Sequence, residues 1–597
     1  MDGQRGADLI AEYLVREGVP YAFGLCGHGI IGLMDALASR ADRIKMVGVH
    51  HEQVAGYMAD AYFRIAHRPV ATFTSCGPGS VNLLIALACA MMDSSALVAI
   101  TGNVPTSQFN RGPFQETYRH HQADFASAVR PYVKRSFQVP RPEMLPLALR
   151  LAFKTAVTGR PGPVNLDVPF DVFVEETAAP APEPAEWWHA IDRRPAPSPE
   201  VARRACDLLR AAERPVILVG NGAVLSEAAS EVRRLAEALG APVAHTPQGA
   251  GVIPADHPLA LGVIGRNGTY PANQATRQAD VLLALGVRFD DRASSAWVPG
   301  YTFAIPPTRL VQVDIDPDEI GRNYPVHLGA VADVKSFVQF VLALTGPDGQ
   351  PRRTAWDAQI ASWQQDWDEF NRRRHRPDAV PVQPEHVVRT LRQVLPRDGI
   401  IALDVGVHHN WMVQQWPAYA PQTVLQSWGF AAMGFAVGGV LGAKLAAPER
   451  AAVAVCGDGG FLMASHAVAT AVEYGIPVTW LVWNNGGYAS IRDLQRGAFG
   501  KETTTMFSRE PTSEPFSPDY ALLARAHGAA GIRVTRPGEL GDALAAAIRS
   551  ERPTVIDVAV DASTPPIATG TWQLPPLAHP EPDYPALVAA AGQPPRA

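Results

Sequence analysis

Cysteine is scarce in this sequence. The 597 residues include five cysteines at wide spacing, with no CxxC pair: Cys26, Cys76, Cys89, Cys206 and Cys456. An odd number of widely spaced cysteines argues against a disulfide framework and against a zinc site. We therefore expect reduced thiols and a cytoplasmic protein.

Long apolar runs and an excess of positive charge are also missing. No run approaches the ~20 residues of a membrane-spanning helix, and the N-terminus shows no signal-peptide pattern. The formal net charge of -6 argues against nucleic-acid binding through bulk positive charge. Hydrophobic content of 47% and charged content of 18% are typical of a globular protein. These features predict a protein without nucleic-acid or membrane partners.

Apolar strand-like runs alternate with helix-length segments along most of the chain, and most runs end in Gly, Asp, Ser or Asn. This alternation is typical of βαβ units and parallel sheets. Two polar, proline-bearing stretches, Thr177–Glu200 and Arg372–His386, have the composition of linkers. They predict three doubly wound α/β domains and a proline-rich C-terminal extension, at residues 1–176, 196–345, 380–560 and 561–597.

One unit carries a strong chemical pattern. It begins with GDGG after one predicted strand and ends with NN after the next. Because parallel strands end at the same sheet edge, Asp458 and Asn485 should lie together, and with the Gly487 carbonyl they offer the oxygen ligands that Mg²⁺ prefers. Three glycines leave room for main-chain N–H groups to approach phosphate oxygens: Gly457, Gly459 and Gly460.

This GDG–NN unit resembles the diphosphate-binding motif of thiamine-diphosphate-dependent enzymes, and the resemblance covers nearly the whole chain. The acetolactate-synthase-like group is the nearest match, on HHEQVAGYMADAYFR, TSCGPGSVNLL, PFQETY, TGRPGPVNLDVPFDV, LGVRFDDR, VDIDPDEIGRN, DVGVHHNW and FAAMGFAVGG. The resemblance implies a pyrimidine-binding, a central and a diphosphate-binding domain, with thiamine diphosphate and Mg²⁺ as cofactors. It also implies a homodimer or homotetramer, because the half-sites of this family meet across a subunit boundary.

The resemblance assigns roles to several residues. Glu52 contacts the aminopyrimidine of the cofactor and promotes the tautomer that removes the proton from thiazolium C2. Met433 lies beneath the bent cofactor, and the Ala431 carbonyl and the Met433 amide contact the pyrimidine. His408 contacts the diphosphate. Val407 departs from the family pattern, which has glutamine there.

The central domain carries a second candidate site. Four residues near strand ends could bind a nucleotide: Gly220, Gly222, Arg288 and Asp314. The resemblance implies FAD, or ADP as in the coenzyme-A lyases. A vestigial site that only stabilises the fold is the third alternative.

The substrate pocket is predicted from the N-terminal domain. Phe114 and Gln115 match the element that faces the thiazolium, and Gln115 can hydrogen-bond a substrate oxygen. His28 lies on the loop after the first strand, where it either orients or protonates an alkoxide or has no chemical role. Cys76 replaces a serine of the family pattern. Two histidines of an apparent insertion are expected at the surface: His120 and His121.

The helix after NN departs most from acetolactate synthases. Its usual methionine and tryptophan positions are Ser490 and Leu494, with Asp493 beside them. In the pocket, Asp493 would repel the carboxylate of a second keto acid and could act as a base in carbon–carbon cleavage. Arg492 projects about 100° away on a helix and is expected to leave Asp493 unneutralised.

These features favour a 2-hydroxyacyl-coenzyme-A lyase, which forms formyl-coenzyme A and an aldehyde or ketone, reversibly, from an acyl-coenzyme-A thioester. The alternative is acetolactate synthase or a related 2-keto-acid carboligase. A cyclic-diketone hydrolase stays possible, whereas intact Glu52, Asp458 and Asn485 argue against a silent regulatory homologue. The tail is expected to be a lid or a disordered end, and its apolar residues are Trp572, Leu574 and Leu577.

Overall fold

Three six-stranded parallel sheets, each flanked by helices, form the protein. The computed structural model describes residues 3–116, 124–345 and 353–570. The strands are nearly continuous apolar runs because both faces of each sheet are covered, as in the fully buried VLLAL strand at Val281–Leu285. The predicted α/β fold class is confirmed.

The N-terminal domain has the sheet order β3-β2-β4-β5-β7-β6, and a short antiparallel pair, β1 with β8, lies beside it. Its strands are β1 (Gln4–Arg5), β2 (Tyr21–Gly24), β3 (Lys45–Gly48), β4 (Ala71–Thr74), β5 (Val98–Asn103), β6 (Arg135–Gln138), β7 (Val164–Pro169) and β8 (Glu176–Thr177). Its helices are α1 (Gly6–Arg16), α2 (Ile31–Ala38), α3 (Glu52–Ala66), α4 (Pro78–Asn82), α5 (Leu84–Met92), α6 (Phe125–Val129), α7 (Leu145–Val157) and α8 (Phe170–Val174).

The central domain has the sheet order β11-β10-β9-β12-β13-β14. Its strands are β9 (Pro215–Val219), β10 (Val243–His245), β11 (Ala260–Val263), β12 (Val281–Leu285), β13 (Arg309–Asp314) and β14 (Leu328–Val331). The helices are α9 (Pro199–Ala211), α10 (Asn221–Leu225), α11 (Ala229–Leu239), α12 (Tyr270–Gln278), α13 (Val334–Thr345) and α14 (Thr354–Arg374).

The C-terminal domain has the sheet order β16-β15-β17-β18-β22-β21, with β19 and β20 as a separate pair. Its strands are β15 (Ile400–Leu403), β16 (Val424–Gln426), β17 (Ala452–Gly457), β18 (Thr479–Asn484), β19 (Ser508–Arg509), β20 (Glu514–Pro515), β21 (Ala530–Val534) and β22 (Thr554–Ala559). The helices are α15 (Pro384–Val394), α16 (Val407–Gln415), α17 (Phe435–Ala446), α18 (Asp458–Ala464), α19 (Ala467–Tyr474), α20 (Ala489–Phe499), α21 (Tyr520–Ala526) and α22 (Pro537–Arg549).

Helices α3 and α17 join the N-terminal and C-terminal domains within one chain. Glycines let them approach closely: a Cβ added at Gly442 would lie 1.9 Å from the Met58 carbonyl oxygen, which no side chain could tolerate. Since α3 begins at Glu52, this packing fixes where that carboxylate lies relative to the C-terminal sheet.

Two segments between and after the predicted domains pack on the central domain. Helix α14 covers part of a stretch that the sequence left unassigned, and its Trp356, Ile360 and Trp363 pack in the central core. After β22, the chain returns to the central domain, where the Thr569 N–H donates to the Arg266 carbonyl oxygen at 3.0 Å. The predicted apolar tail residues Trp572, Leu574 and Leu577 lie outside the part of the chain that the structure describes, and the domain boundaries stay predictions.

Candidate active site

The GDG–NN unit folds around one carboxylate. Strands β17 and β18 are parallel neighbours, so Asp458 and Asn485 follow them at one edge of the sheet. Three main-chain N–H groups then donate to Oδ2 of Asp458: Asn485 at 3.2 Å, Gly486 at 2.7 Å and Gly487 at 2.9 Å. The turn after β18 therefore wraps the carboxylate that ends β17, as the sequence spacing predicts.

Asp458 is buried, with 2% of its surface exposed. Burial raises its pKa to about 6, although the main-chain donors favour the ionised form. The described ranges contain no cluster of three or more His, Cys, Asp or Glu side chains that could hold a metal alone. The donor set at Asp458 is one carboxylate, one amide and one carbonyl, which fits a Mg²⁺ completed by phosphate oxygens and water.

The glycines of GDGG are required by their neighbours. A Cβ at Gly459 would lie 2.3 Å from the ring of Tyr488, and one at Gly460 would lie 2.1 Å from Oδ2 of Asp404. Both distances are far below van der Waals contact, so only main chain fits here. The diphosphate cradle predicted for these glycines is thus compatible with the local packing.

A cavity of about 300 Å³ opens at this edge of the sheet. Every residue predicted for the diphosphate-binding half lines it: His408, Ala431, Met433, Gly457, Asp458, Gly459, Gly460, Asn485 and Gly487. Ser490 and Leu494 of α20 line it too. The structure therefore brings together residues that are spread over four separate segments of the sequence.

His408 is buried in the wall of this cavity. Burial lowers its pKa to about 4, so the imidazole is neutral at ordinary pH. Its Nε2 has no hydrogen-bond partner in the part of the chain that the structure describes. Buried polar atoms nearly always have a hydrogen-bond partner, so an atom without a protein partner is available to a ligand. This fits the predicted contact of His408 with the diphosphate.

Met433 is presented by a strained turn. Ala431 and Gly434, on either side of it, have φ of 57° and 88°, in the region that disfavours side chains. The carboxylate of Asp404 accepts the Gly434 N–H through both oxygens, at 2.9 and 3.0 Å. This buried anchor holds the turn and with it the position of Met433.

Glu52 is not among the described residues that line this cavity. It is 7% exposed, accepts a hydrogen bond from Nδ2 of Asn82 at 3.0 Å, and lies against Gly79. The described residues that line the GDG–NN cavity include none from the N-terminal domain. Within one chain the two predicted halves of the cofactor site are therefore separate.

The predicted substrate residues form a cluster near Glu52. Sγ of Cys76 lies 3.7 Å from Nε2 of His28 and 3.7 Å from Oε1 of Gln115. The rings of His28 and Phe114 are 5.9 Å apart. Burial raises the pKa of the Cys76 thiol, so the sulfur stays protonated. His120 and His121 lie outside the described residues.

The central candidates surround a second cavity, of about 380 Å³, between the N-terminal and central domains. Gly222, Arg288 and Asp314 line it, and Gly220 lies beside it against Gly286. Arg288 donates to the Met92 carbonyl oxygen and lies 3.6 Å from a carboxylate oxygen of Asp93. Burial raises the pKa of Asp314 to about 6.

The expectation that Arg492 leaves Asp493 unneutralised is wrong. The guanidinium of Arg492 donates to Oδ1 of Asp493 at 2.9 and 2.7 Å and also to the Ala562 carbonyl oxygen. A helical offset of 100° separates Cα–Cβ directions, but the long arginine side chain folds back across that angle. Asp493 is absent from the described residues that line the GDG–NN cavity, and its side chain is 37% exposed.

Sequence reasoning missed several residues of the cavity, among them Arg266, Arg292 and Tyr488. Arg292 belongs to LGVRFDDR, the motif in which the sequence predicts a binding role for Arg288. Arg266 and Arg292 follow β11 and β12, so their positions after strand ends were a usable signal. Only the packing of the central domain against the C-terminal domain shows which cavity they reach.

Comparison with known proteins agrees with this geometry. Three family models match: the thiamine pyrophosphate enzyme N-terminal TPP-binding domain at residues 4–124, the central domain at 202–341 and the C-terminal TPP-binding domain at 404–558. The chain belongs to the thiamine pyrophosphate enzyme family. The resemblance to thiamine-diphosphate-dependent enzymes that the sequence shows is confirmed.

Individual members of the thiamine pyrophosphate enzyme family match over most of their length. The probable acetolactate synthase large subunit of Methanocaldococcus jannaschii is 33% identical over 93% of this chain and 92% of its own. Acetolactate synthase isozyme 3 large subunit of Escherichia coli is 32% identical over 94% and 96%. Acetolactate synthase 1, chloroplastic, of Zea mays is 32% identical over 94% and 86%.

Membership establishes a thiamine-diphosphate-dependent enzyme that forms carbon–carbon bonds. Thiamine diphosphate is accordingly its cofactor. No helix among residues 3–116, 124–345 and 353–570 is long and apolar enough to cross a bilayer.

Proposed function

We propose that this enzyme is a carboligase that joins two 2-keto acids, with an acetolactate-synthase type of reaction. The observation that carries the proposal is the guanidinium of Arg292 in the wall of the GDG–NN cavity. A 2-keto acid has a carboxylate next to its reacting carbonyl, and arginine is the side chain best suited to hold it. The coenzyme-A lyase favoured by the sequence has no comparable support.

Arg292 is held in a defined orientation. Its Nη2 donates to Oδ1 of Asn410 at 2.6 Å, and its guanidinium lies 4.6 Å from the ring centre of Trp428. Trp428 is fixed in turn by a hydrogen bond from its Nε1 to Asp290 at 2.9 Å. A guanidinium positioned in advance loses little freedom when a carboxylate binds, which strengthens binding.

The case for the lyase depended on an acidic pocket. Asp493 was expected to repel the carboxylate of a second keto acid, but it pairs with Arg492 and lies outside the cavity lining. The ionisable side chains that do line the cavity include two arginines, so the local charge favours keto acids. The similar proteins named above are acetolactate synthases, which supports the same proposal.

Thiamine diphosphate supplies a nucleophilic carbon and an electron sink when it is bound. We infer that Asp458, the Asn485 side chain and the Gly487 carbonyl would hold Mg²⁺, which would neutralise diphosphate charge. Glu52 would donate or accept the proton at the pyrimidine of the bound cofactor, and Met433 would contact the cofactor. Gln115 and His28 lie where a substrate oxygen would be hydrogen-bonded.

We infer that the active unit is a dimer, alone or paired into a tetramer. Among the described residues, Glu52 does not line the cavity that Asp458 borders, which supports completion of each site by a second copy. Exposed apolar side chains lie near both residues: Val81 on α4 with Asn82, Ile85 on α5, and Leu462 and Met463 on the helix that begins at Asp458. Such side chains are suited to burial in a subunit interface.

For the second cavity, we infer a nucleotide, either FAD or ADP. Asp314 can meet ribose hydroxyls, whereas Arg288 is partly engaged by Asp93 and its phosphate contact stays a prediction. A flavin absorbance band in the purified protein would identify FAD, and release of ADP on denaturation would identify ADP.

The decisive experiment for the proposed function is product analysis. The enzyme, loaded with thiamine diphosphate and Mg²⁺, is incubated with pyruvate, with pairs of 2-keto acids and with 2-hydroxyacyl-coenzyme-A thioesters. We expect 2-hydroxy-2-acyl acids from the keto acids, detected by mass spectrometry. Cleavage of the thioesters without any product from keto acids would reject the proposal and restore the lyase.

A further inference from the structure

A second arginine stands beside Arg292 in the cavity. The main-chain N–H of Arg266 donates to the Arg292 carbonyl oxygen at 2.9 Å. This hydrogen bond joins the two loops of the central domain that carry these residues. Both side chains line the cavity, together with the GDG–NN unit. Two arginines of the central domain therefore line the same cavity.

The loop that carries Arg266 is braced on two sides. Asn273 accepts the Gly265 N–H at 2.9 Å and donates to the Gly265 carbonyl at 2.8 Å. The N–H groups of Thr569 and Gly570 donate to the Arg266 carbonyl oxygen at 3.0 and 3.2 Å. Such bracing is typical of a binding loop whose geometry is set before the ligand arrives.

The charge in the cavity is uneven. Among its described lining residues, Asp458 is the only acid, and that carboxylate belongs to the metal and diphosphate unit. Burial lowers the pKa of both arginines. The charge of Arg266 lowers the pKa of Arg292 further, whereas Asp290 and Asp291 act on it in the opposite direction.

We propose that Arg266 and Arg292 bind an acceptor substrate with two carboxylates, a 2-oxo dicarboxylic acid, with one guanidinium for each carboxylate. This inference rests on the proposed function and names its acceptor class. Arg292 takes the carboxylate that every 2-keto acid has, and Arg266 selects for the second one. A planar guanidinium donates two parallel hydrogen bonds to a carboxylate, which gives direction as well as charge.

Binding tests the inference independently of turnover. The Glu52→Gln enzyme, loaded with thiamine diphosphate and Mg²⁺, is titrated with 2-oxoglutarate and with 2-oxobutanoate in a calorimeter. We expect 2-oxoglutarate to bind about tenfold more tightly or better, the effect of one additional charged hydrogen-bonded pair. Arg266→Gln in that background should remove this preference, and Arg266→Lys should restore part of it.

Two controls make the outcome specific. Arg203→Gln, on the outer helix α9 with a side chain that is 61% exposed, should keep the preference. Thiamine diphosphate should bind Arg266→Gln with its wild-type dissociation constant. Equal binding of the two keto acids by the parent enzyme would overturn the inference, as would a parallel loss of cofactor affinity, which would assign Arg266 to the diphosphate.

Turnover separates this inference from the proposed function. With pyruvate as donor, we expect the ratio of kcat/KM for 2-oxoglutarate over 2-oxobutanoate as acceptor to fall about tenfold in Arg266→Gln. If the wild type joins no keto acids at all, the proposed function fails. The calorimetric preference for a dicarboxylate still decides the role of Arg266 in that case.

Discussion

The carboxylate of Asp404 holds the main-chain N–H of Gly434 through both of its oxygens, at 2.9 and 3.0 Å. Asp404 is fully buried, and burial raises its pKa to about 7. Gly434 follows Met433 directly, so a carboxylate that does not line the cavity sets the position of a residue that does. Asp404 is a positioning residue.

Replacing Asp404 with Ala is expected to lower both stability and cofactor affinity. Loss of the acceptor leaves a buried N–H unsatisfied, at a cost of about 1–3 kcal/mol. Thermal unfolding without cofactor measures the first effect, and thiamine diphosphate titration measures the second. If only the melting temperature changes, Asp404 serves the fold and does not position Met433.

Replacing Asp458 with Ala should remove metal and cofactor together, because one carboxylate organises the turn that holds both. Metal analysis and thiamine diphosphate content of the purified protein provide the measurement. Asp42→Ala, at a side chain that is 79% exposed, is the matched control and should retain both. A stoichiometric complement of Mg²⁺ in Asp458→Ala would mean that the metal lies elsewhere.

Mixing two inactive variants should restore activity if each site is shared between subunits. Glu52→Gln is expected to stop hydrogen–deuterium exchange at thiazolium C2, and Asp458→Ala to lose the cofactor. A mixed dimer has one site with both residues intact, so random exchange should return about a quarter of wild-type activity. Persistent inactivity of mixtures that sedimentation shows to contain mixed dimers would place Glu52 and Asp458 in the same chain's site.

Replacing Asp493 with Asn should change carboligation by no more than about threefold. Asp493 lies outside the cavity lining, its side chain is 37% exposed, and its partner Arg492 is buried. Ion pairs with solvent-exposed groups contribute about 0–1 kcal/mol. Steady-state kinetics with keto acids provide the measurement. A loss of about 100-fold, especially with thioester substrates, would instead identify Asp493 as a general base.

The pH dependence of stability should include a contribution from His409. Burial lowers its pKa to about 3, so between pH 6.5 and 3 the unfolded chain binds a proton that the folded chain does not. Stability therefore falls as pH falls below 6.5, by about 1.4 kcal/mol per pH unit for this group. His409→Gln should show a smaller decrease in melting temperature than the wild type between pH 7 and 5.

A comparison of the two melting curves is needed because other groups act in the opposite sense. The pKa of Asp404 is raised to about 7, so that residue favours the folded state as pH falls. The difference between variant and wild type removes this shared contribution. A difference that stays constant from pH 7 to pH 5 would mean that His409 is protonated in the folded protein.

The local sequence was sufficient to predict the position of site residues that directly follow a strand. The parallel sheets and the assembly of Asp458, Asn485 and Gly487 at one edge follow from strand order and spacing, which the sequence displays. Cys76, His28 and Gln115 meet because their loops leave neighbouring strand ends. Their chemical roles stay predictions, since position alone does not fix them.

Prediction from the sequence failed where a side chain makes contacts across a domain boundary, or where a long side chain contacts a residue that its Cα–Cβ direction does not face. Arg266 and Arg292 belong to the central domain but line a cavity of the C-terminal domain, and no local pattern encodes that packing. Arg492 has enough rotatable bonds to reach Asp493 in spite of the helical offset. Helix α14 was not predicted because its C-terminal end has the composition of a linker. Its tryptophans, which pack on the central core, lie before that end.

The contacts of Thr569 also have a consequence for synthesis of the chain. Its hydroxyl donates to the Gly268 carbonyl oxygen, 301 positions earlier, and its N–H donates to the Arg266 carbonyl. Ribosomes add about 5–20 residues per second, and domains fold as they emerge, so the central sheet can form long before residue 569 is made. A nascent chain that has completed β22 already contains the GDG–NN turn, but the loop of Arg266 still lacks its last hydrogen bonds. The loop of Arg266 can therefore gain its last hydrogen bonds only after the residues of the GDG–NN turn have been made.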